Sequence, residues 1–152
     1  MIRLLFVFLF MGLSLQAQSQ VKWLRFDQLD SAMTVAPKPV FLDFYTAWCS
    51  YCKKMDQEVF TDGAVAAELN TAFYAVRFDA ETDAEISFDG LRWQKGANQP
   101  AHSLAQLFSP KGSAFAPPLL IILDDDCEMK ERINAYQSRK KLLKMLRKYS
   151  GS

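Results

Sequence analysis

Cys49 and Cys52 stand three residues apart and enclose Ser50 and Tyr51. Thiols at this spacing can close into a disulfide and open again, which suits reversible two-electron exchange with another thiol or disulfide. The apolar run Val40-Phe41-Leu42-Asp43-Phe44 ahead of the pair has the character of a buried central strand. Trp48 to Cys52 turns into a helix that runs to about Val59. Such a junction sets Cys49 among unpaired backbone N–H groups at the positive end of a helix dipole. Those donors favour thiolate, the nucleophilic form. Cys52 lies one turn further in, more buried, where it can attack a mixed disulfide formed by Cys49. Two other readings stay open on residue type alone, a plain structural disulfide and a zinc half-site. Cys49, Cys52, Cys127 and His102 supply a Cys₃His set by count, but no second paired motif accompanies them, and zinc takes four ligands. Neither a metal nor a cofactor is expected.

The elements that must position this pair follow from periodicity and punctuation. Val21 to Phe26 alternates like a short strand, and Asp27 is placed to cap a helix that Pro37 ends. Thr61 or Asp62 caps a helical stretch carrying Val65, Ala66 and Leu69, and Phe73 to Phe78 is the next strand. Ile86 to Trp93 suggests a hairpin around Asp89-Gly90, and His102 to Phe108 a short helix. Leu119 to Leu123 is a second all-apolar strand, Asp124-Asp125-Asp126 a turn, and Glu128 to Asn134 a charged strand. Ser138 caps a last helix whose Leu142, Met145, Leu146 and Tyr149 share one face. The order β-α-β-α-β-insert-β-β-α, without internal repeats, describes one α/β domain.

Composition narrows the function classes. The chain has 152 residues, 50% hydrophobic and 23% charged, enough for one globular domain with a sizeable core. A net charge of +1 provides no global field for nucleic acid. A single histidine disfavours His-rich metal sites and a Ser-His-Asp hydrolase. Arg3, the apolar run Leu4 to Met11 and the polar Gln/Ser segment after it are the parts of a signal peptide over residues 1–19, leaving a domain over 20–152. The apolar run is short of the about 20 residues that a membrane span needs. The expected location is therefore periplasmic or secreted, where cysteines meet oxidising surroundings.

The run Asp43-Phe44-Tyr45-Thr46-Ala47-Trp48-Cys49-Ser50-Tyr51-Cys52-Lys53 resembles the thioredoxin superfamily, with an acid six residues before the first cysteine and Trp directly before it. Met55, Glu58, Phe60, Asp62, Val65, Ala66, Leu69, Asn70, Phe73, Val76 and Asp79 make it similar to one branch. That branch holds the periplasmic C-terminal domain of the transmembrane thiol:disulfide interchange proteins. Pro118 before Leu119 matches the family's cis-proline. The resemblance implies a thioredoxin fold, a central mixed β-sheet flanked by helices with an insert before the cis-proline strand. It implies that Cys49 is the exposed nucleophile, Cys52 the resolving thiol, and Asp43 a buried carboxylate that takes part in proton transfer. Trp48, Pro117 and Pro118 would flank the substrate groove. Client proteins with cysteines or disulfides would be the substrates, a membrane or soluble redox partner would recycle the pair, and the domain would act as a monomer.

The chain departs from the pattern in three places. Pro117 stands where relatives offer a backbone N–H to an added client strand, so one donor is missing. Leu119 follows the cis-proline where Thr is common. The segment Glu85 to Ser109 is longer than a minimal thioredoxin needs. Ser50-Tyr51 lacks the histidine that strongly oxidising relatives often carry, which favours a reductase. Tyr51 also fits an isomerase, although the usual dimerisation domain is not visible. A non-catalytic client-binding module is the reading from another class. Cys127, beside three aspartates, is expected to be a spectator thiol, and His102 a surface residue. The basic cluster Arg139, Lys140, Lys141, Lys144, Arg147 and Lys148 is expected to form a solvated helix face.

Overall fold

The computed structural model describes residues 20–151; the signal peptide expected over residues 1–19 lies outside them. Helix α1 (Phe26–Val35) leads to strand β1 (Val40–Tyr45), helices α2 (Ser50–Glu58) and α3 (Gly63–Ala72), and strand β2 (Tyr74–Asp79). The insert holds β3 (Ile86–Phe88), β4 (Leu91–Trp93) and α4 (Ser103–Phe108). Strands β5 (Leu119–Leu123) and β6 (Met129–Ile133) and helix α5 (Arg139–Tyr149) complete the chain.

The main sheet has the order β2-β1-β5-β6. Strand β1 runs parallel to β2 and antiparallel to β5, and β5 runs antiparallel to β6. The two apolar runs, the first interrupted only by Asp43, are thus the two central strands, as full burial on both faces requires. Alternation along them builds two cores. Val40, Leu42, Phe44, Leu119, Ile121 and Leu123 face α1, α4 and the hairpin. Phe41, Leu120 and Ile122 face the side of Met55, Leu69, Leu142 and Leu146, which α2, α3 and α5 contribute. Asp43 belongs to this second face by the period of two along a strand.

The hairpin forms where expected, with Asp89 and Gly90 at φ 53° and 69°. Its Phe88 packs edge-on against Phe26 at 5.1 Å, which joins the insert to the core. Some sequence expectations are corrected. Val21 to Phe26 is not a strand. Only Leu24 bridges to Val76, because α1 already begins at Phe26, whose ring is buried against Phe44, Phe78 and Phe88. Arg25, not Asp27, is the N-cap of α1, its backbone N–H held by the Gln28 side chain at 3.0 Å. Asp27 instead pairs with the Arg25 guanidinium. Asp62 does cap α3, accepting from the N–H groups of Ala64 and Val65. Ser138 occupies the N-cap position of α5 without a side-chain capping bond. Among the described residues no helix is long and apolar enough to cross a membrane.

Candidate active site

Strand β1 ends at Tyr45, and the turn through Trp48 starts α2 with Cys49 as its N-cap. The Cys49 backbone is extended there, and its sulfur accepts the Cys52 N–H at 3.1 Å. Cys49 and Cys52 are joined in a disulfide with their Cα atoms 5.3 Å apart. The Cys49 sulfur thus meets a backbone N–H and the positive end of the α2 dipole. The resemblance implied an exposed Cys49. In the disulfide form Cys49 is only 4% exposed and Cys52 3%. The turn folds Cys49 inward because its N–H donates back to the Thr46 carbonyl and its Sγ is tied to Cys52. The two cysteines therefore differ in their backbone surroundings and not in exposure.

Asp43 is 2% exposed on the α2 side of the sheet. Its strand partner on β2 is Arg77, whose Nε lies 3.3 Å from Asp43 Oδ2. Nη2 of the same guanidinium lies 2.7 Å from each carboxylate oxygen of Asp56. Asp56 is one turn beyond Cys52 on α2, so the two share a helix face. The chain Asp43–Arg77–Asp56 thereby ties the buried acid to the helix that carries the cysteines. Burial pushes the Asp43 carboxyl up to about 7; Arg77 pulls it down and the Asp56 charge raises it again. A carboxyl at that level exchanges protons near neutral pH.

The rim is aromatic. Trp48 is 65% exposed and its indole N–H donates to Glu81 at 2.8 Å. Tyr51 is exposed beside Tyr136, the ring centres 6.1 Å apart. Pro117 and Pro118 come to the same end of the sheet, because Leu119 pairs with Phe44. The peptide bond between them is cis. Pro118 is buried and Pro117 half-buried. The Asn134 amide nitrogen holds this bend through the carbonyls of Ala116 and Pro118.

The remaining candidates lie elsewhere. Cys127 sits past β5, at the sheet end remote from the pair, on a cavity shared with Asp30, Met33, Phe88 and Asp126. Burial raises its thiol pKa first, and Asp89, Asp30, Asp124 and Asp126 add to the rise. Among the described residues no group of three or more His, Cys, Asp and Glu is placed to hold a metal ion. His102 was expected at the surface and is fully buried. Its Nδ1 accepts from Leu104 N–H at 3.2 Å, which caps α4, its Nε2 bonds the Ala84 carbonyl at 3.1 Å, and its ring packs edge-on to Phe78. In α5, Arg139, Arg147 and Lys148 pair with Asp62, Glu68 and Glu131, while Lys140, Lys141 and Lys144 are exposed. Sequence reasoning missed Arg77, Asp56, Glu81 and Asn134. The one available signal was for Arg77, a charged residue inside the apolar strand Tyr74–Asp79.

A disulfide at a helix N-terminus, a buried acid in the strand before it and a cis-proline at the same sheet end define a thioredoxin-type site. The family model for the thioredoxin-like domain matches residues 27–150, and the chain belongs to that family, one of disulfide oxidoreductases with a CxxC pair. It is 33% identical over 115 residues to the thiol:disulfide interchange protein DsbD 1 of Pseudomonas aeruginosa, which covers 74% of this chain and 19% of that protein. It is 31% identical over 127 residues to the DsbD of Ralstonia nicotianae, covering 83% of this chain and 18% of that protein. The chain thus spans about a fifth of the length of these curated relatives. Among solved structures, the oxidised C-terminal domain of Neisseria meningitidis DsbD superposes with a TM-score of 0.55 at 22% identity, over 81% of this chain and 90% of that one. That likeness bears out the fold.

Proposed function

We propose that this chain, exported by its N-terminal segment and folded over residues 20–152, is a thiol:disulfide oxidoreductase that reduces disulfides in client proteins. The observation that carries the reading is the Cys49–Cys52 disulfide at the start of α2, tied through Arg77 and Asp56 to the buried Asp43. In the reduced pair, the Cys49 thiolate attacks one sulfur of a client disulfide, and the other client sulfur leaves as thiolate. A mixed disulfide now joins Cys49 to the client. Cys52 gives its proton to the Asp43 carboxylate, and its thiolate attacks Cys49 Sγ. The client's second sulfur leaves and takes up a proton, and the Cys49–Cys52 disulfide is restored. Two electrons have passed to the client. A dithiol of a separate redox partner, membrane-bound or soluble, must return them.

Trp48 and Tyr51 offer an apolar rim on which a client segment can lie, with Pro117 and Pro118 forming the other wall. The test is insulin reduction with dithiothreitol as electron source. Many turnovers per chain, lost in Cys49→Ser, support the reading. Stoichiometric or no reduction by a folded chain contradicts it, and favours a client-binding module instead.

A further inference from the structure

We infer that His102 is a positioning residue for client binding: it clamps the segment from Ala80 to Ala84, so that Glu81 holds the Trp48 indole and the insert sets one wall of the client groove. The inference deepens the proposed function and rests on it. The clamp closes on both sides of Glu81. The His102 backbone N–H donates to the Ala80 carbonyl at 2.7 Å, and the ring Nε2 meets the Ala84 carbonyl at 3.1 Å. Nδ1 accepts from the Leu104 N–H, so the neutral ring carries its proton on Nε2 and donates it to Ala84. The ring has no room to swing, being fully buried and edge-on to Phe78 with the ring centres 5.0 Å apart. Behind it, α4 packs Leu104, Ala105 and Phe108 into the core.

The insert grips the segment at a third point. Lys95, just past β4, donates through Nζ to the Glu81 carbonyl at 3.1 Å and pairs with Asp83 at 3.4 Å. The sheet holds the near end. The Ala80 N–H donates to the Tyr45 carbonyl at 2.9 Å, where β1 gives way to the turn that carries Trp48, and the Glu81 N–H is tied to Asp79 Oδ1 at 3.0 Å. With its backbone fixed from these sides, Glu81 presents Oε1 to the Trp48 indole N–H at 2.8 Å. Trp48 needs that hold, because an exposed side chain without partners samples several rotamers. Ordering it before a client arrives removes a cost that would otherwise weaken binding by roughly two- to tenfold. The sulfur chemistry at Cys49 and Cys52 makes no contact with His102 or Glu81. Loosening the clamp therefore acts on how clients bind rather than on the exchange step itself.

The test uses the full chain and reads two quantities. One is solvent exchange of the Trp48 indole N–H by NMR, its resonance identified by absence in Trp48→Phe. The other is the KM and kcat of insulin reduction with dithiothreitol. His102→Asn keeps a capping oxygen for the Leu104 N–H and is too short to reach Ala84. It should speed indole exchange and raise the insulin KM, each by roughly two- to tenfold. Glu81→Ala should do at least as much, and Glu81→Gln, which keeps an acceptor for the indole, should recover most of the loss. Because His102 acts through Glu81, the double variant His102→Asn with Glu81→Ala should have the KM of Glu81→Ala alone. Three results overturn the inference: indole exchange unchanged in folded His102→Asn, penalties that multiply in the double variant, or a loss that falls on kcat with KM unmoved. If His102→Asn does not fold, Lys95→Met decides. It releases the Glu81 carbonyl from the insert and should speed indole exchange, and an unchanged rate overturns the inference. A wild-type chain that never turns over insulin refutes the proposed function, and indole exchange still reads the clamp by itself.

Discussion

Replacing Asp43 by asparagine keeps the side-chain shape and removes its titration, so the variant isolates what burying this carboxyl costs. The folded-state carboxyl sits at about 7 against an ordinary value of 3.8, with burial as the main cause. An acid whose folded pKa is raised holds its proton in the fold after the unfolded chain has released it. Stability then falls as pH rises from about 4 to about 7, and is level above that window. At 1.36 kcal/mol per unit, the full loss is about 4 kcal/mol. Somewhat less than half of it has been incurred by pH 5, and most of the rest accrues between pH 5 and pH 7. Urea unfolding of the oxidised chain at pH 5, 6, 7 and 8, for wild type and Asp43→Asn, measures this directly. The variant should gain on the wild type by roughly 2–3 kcal/mol across that range, most of it between pH 5 and 7. Two parallel pH curves would refute the reasoning, since Asp43 would then titrate alike in both states. The same variant should slow client exchange, most where Cys52 must lose its proton. Unchanged rates from pH 6 to 8 would remove Asp43 from the mechanism.

Cys49→Ser should abolish exchange, and Cys52→Ser should accumulate mixed disulfides with clients, seen as shifted bands on non-reducing gels; trapping by Cys49→Ser instead would reverse the roles. Pro117→Thr supplies a backbone N–H at the rim, and one added hydrogen bond, about 0.5–1.5 kcal/mol, should tighten peptide binding to the Cys52→Ser variant by up to roughly tenfold. Equal or weaker binding by calorimetry would place client docking elsewhere, for instance on the segment from Glu85 to Ser109. His102→Ala removes the α4 cap and the bond to Ala84, and should cost about 1–3 kcal/mol at pH 7.5 by urea unfolding. Burial holds the His102 imidazole below its ordinary 6.5. Wild-type stability therefore falls as pH drops through that value, and the gap to the variant should narrow toward pH 5. A gap that widens would mean that His102 is charged in the fold.

The parts of the fold that sequence reveals are those fixed by local chemistry. The two five-residue apolar runs can only be central strands, and the cysteine pair after the first of them marks a helix start. Asp89-Gly90 carries its turn in residue type, and Asp62 its cap. Arg77 is different in kind. Its role depends on the register that sets it opposite Asp43, across 34 residues of chain, and on Asp56 reaching it from a helix. Nothing in the local sequence contains that register. His102 is polar, and polar residues are usually exposed. Its burial follows from two backbone partners, Leu104 and Ala84, that only the folded insert brings to it. Leu24 ended as a lone bridge because the buried ring of Phe26 starts a helix two residues later, and strand alternation cannot register that competition.

The reduction potential of the Cys49–Cys52 pair, measured by equilibration of the purified chain in glutathione or dithiothreitol buffers of known ratio, tests the central claim most directly. A reductase of this fold should poise the pair near the thioredoxin value, about −270 mV. A potential near about −120 mV would make the chain an oxidant and contradict the reductase reading. A disulfide that stays closed well below about −300 mV would behave as a structural bridge, and contradict exchange chemistry altogether.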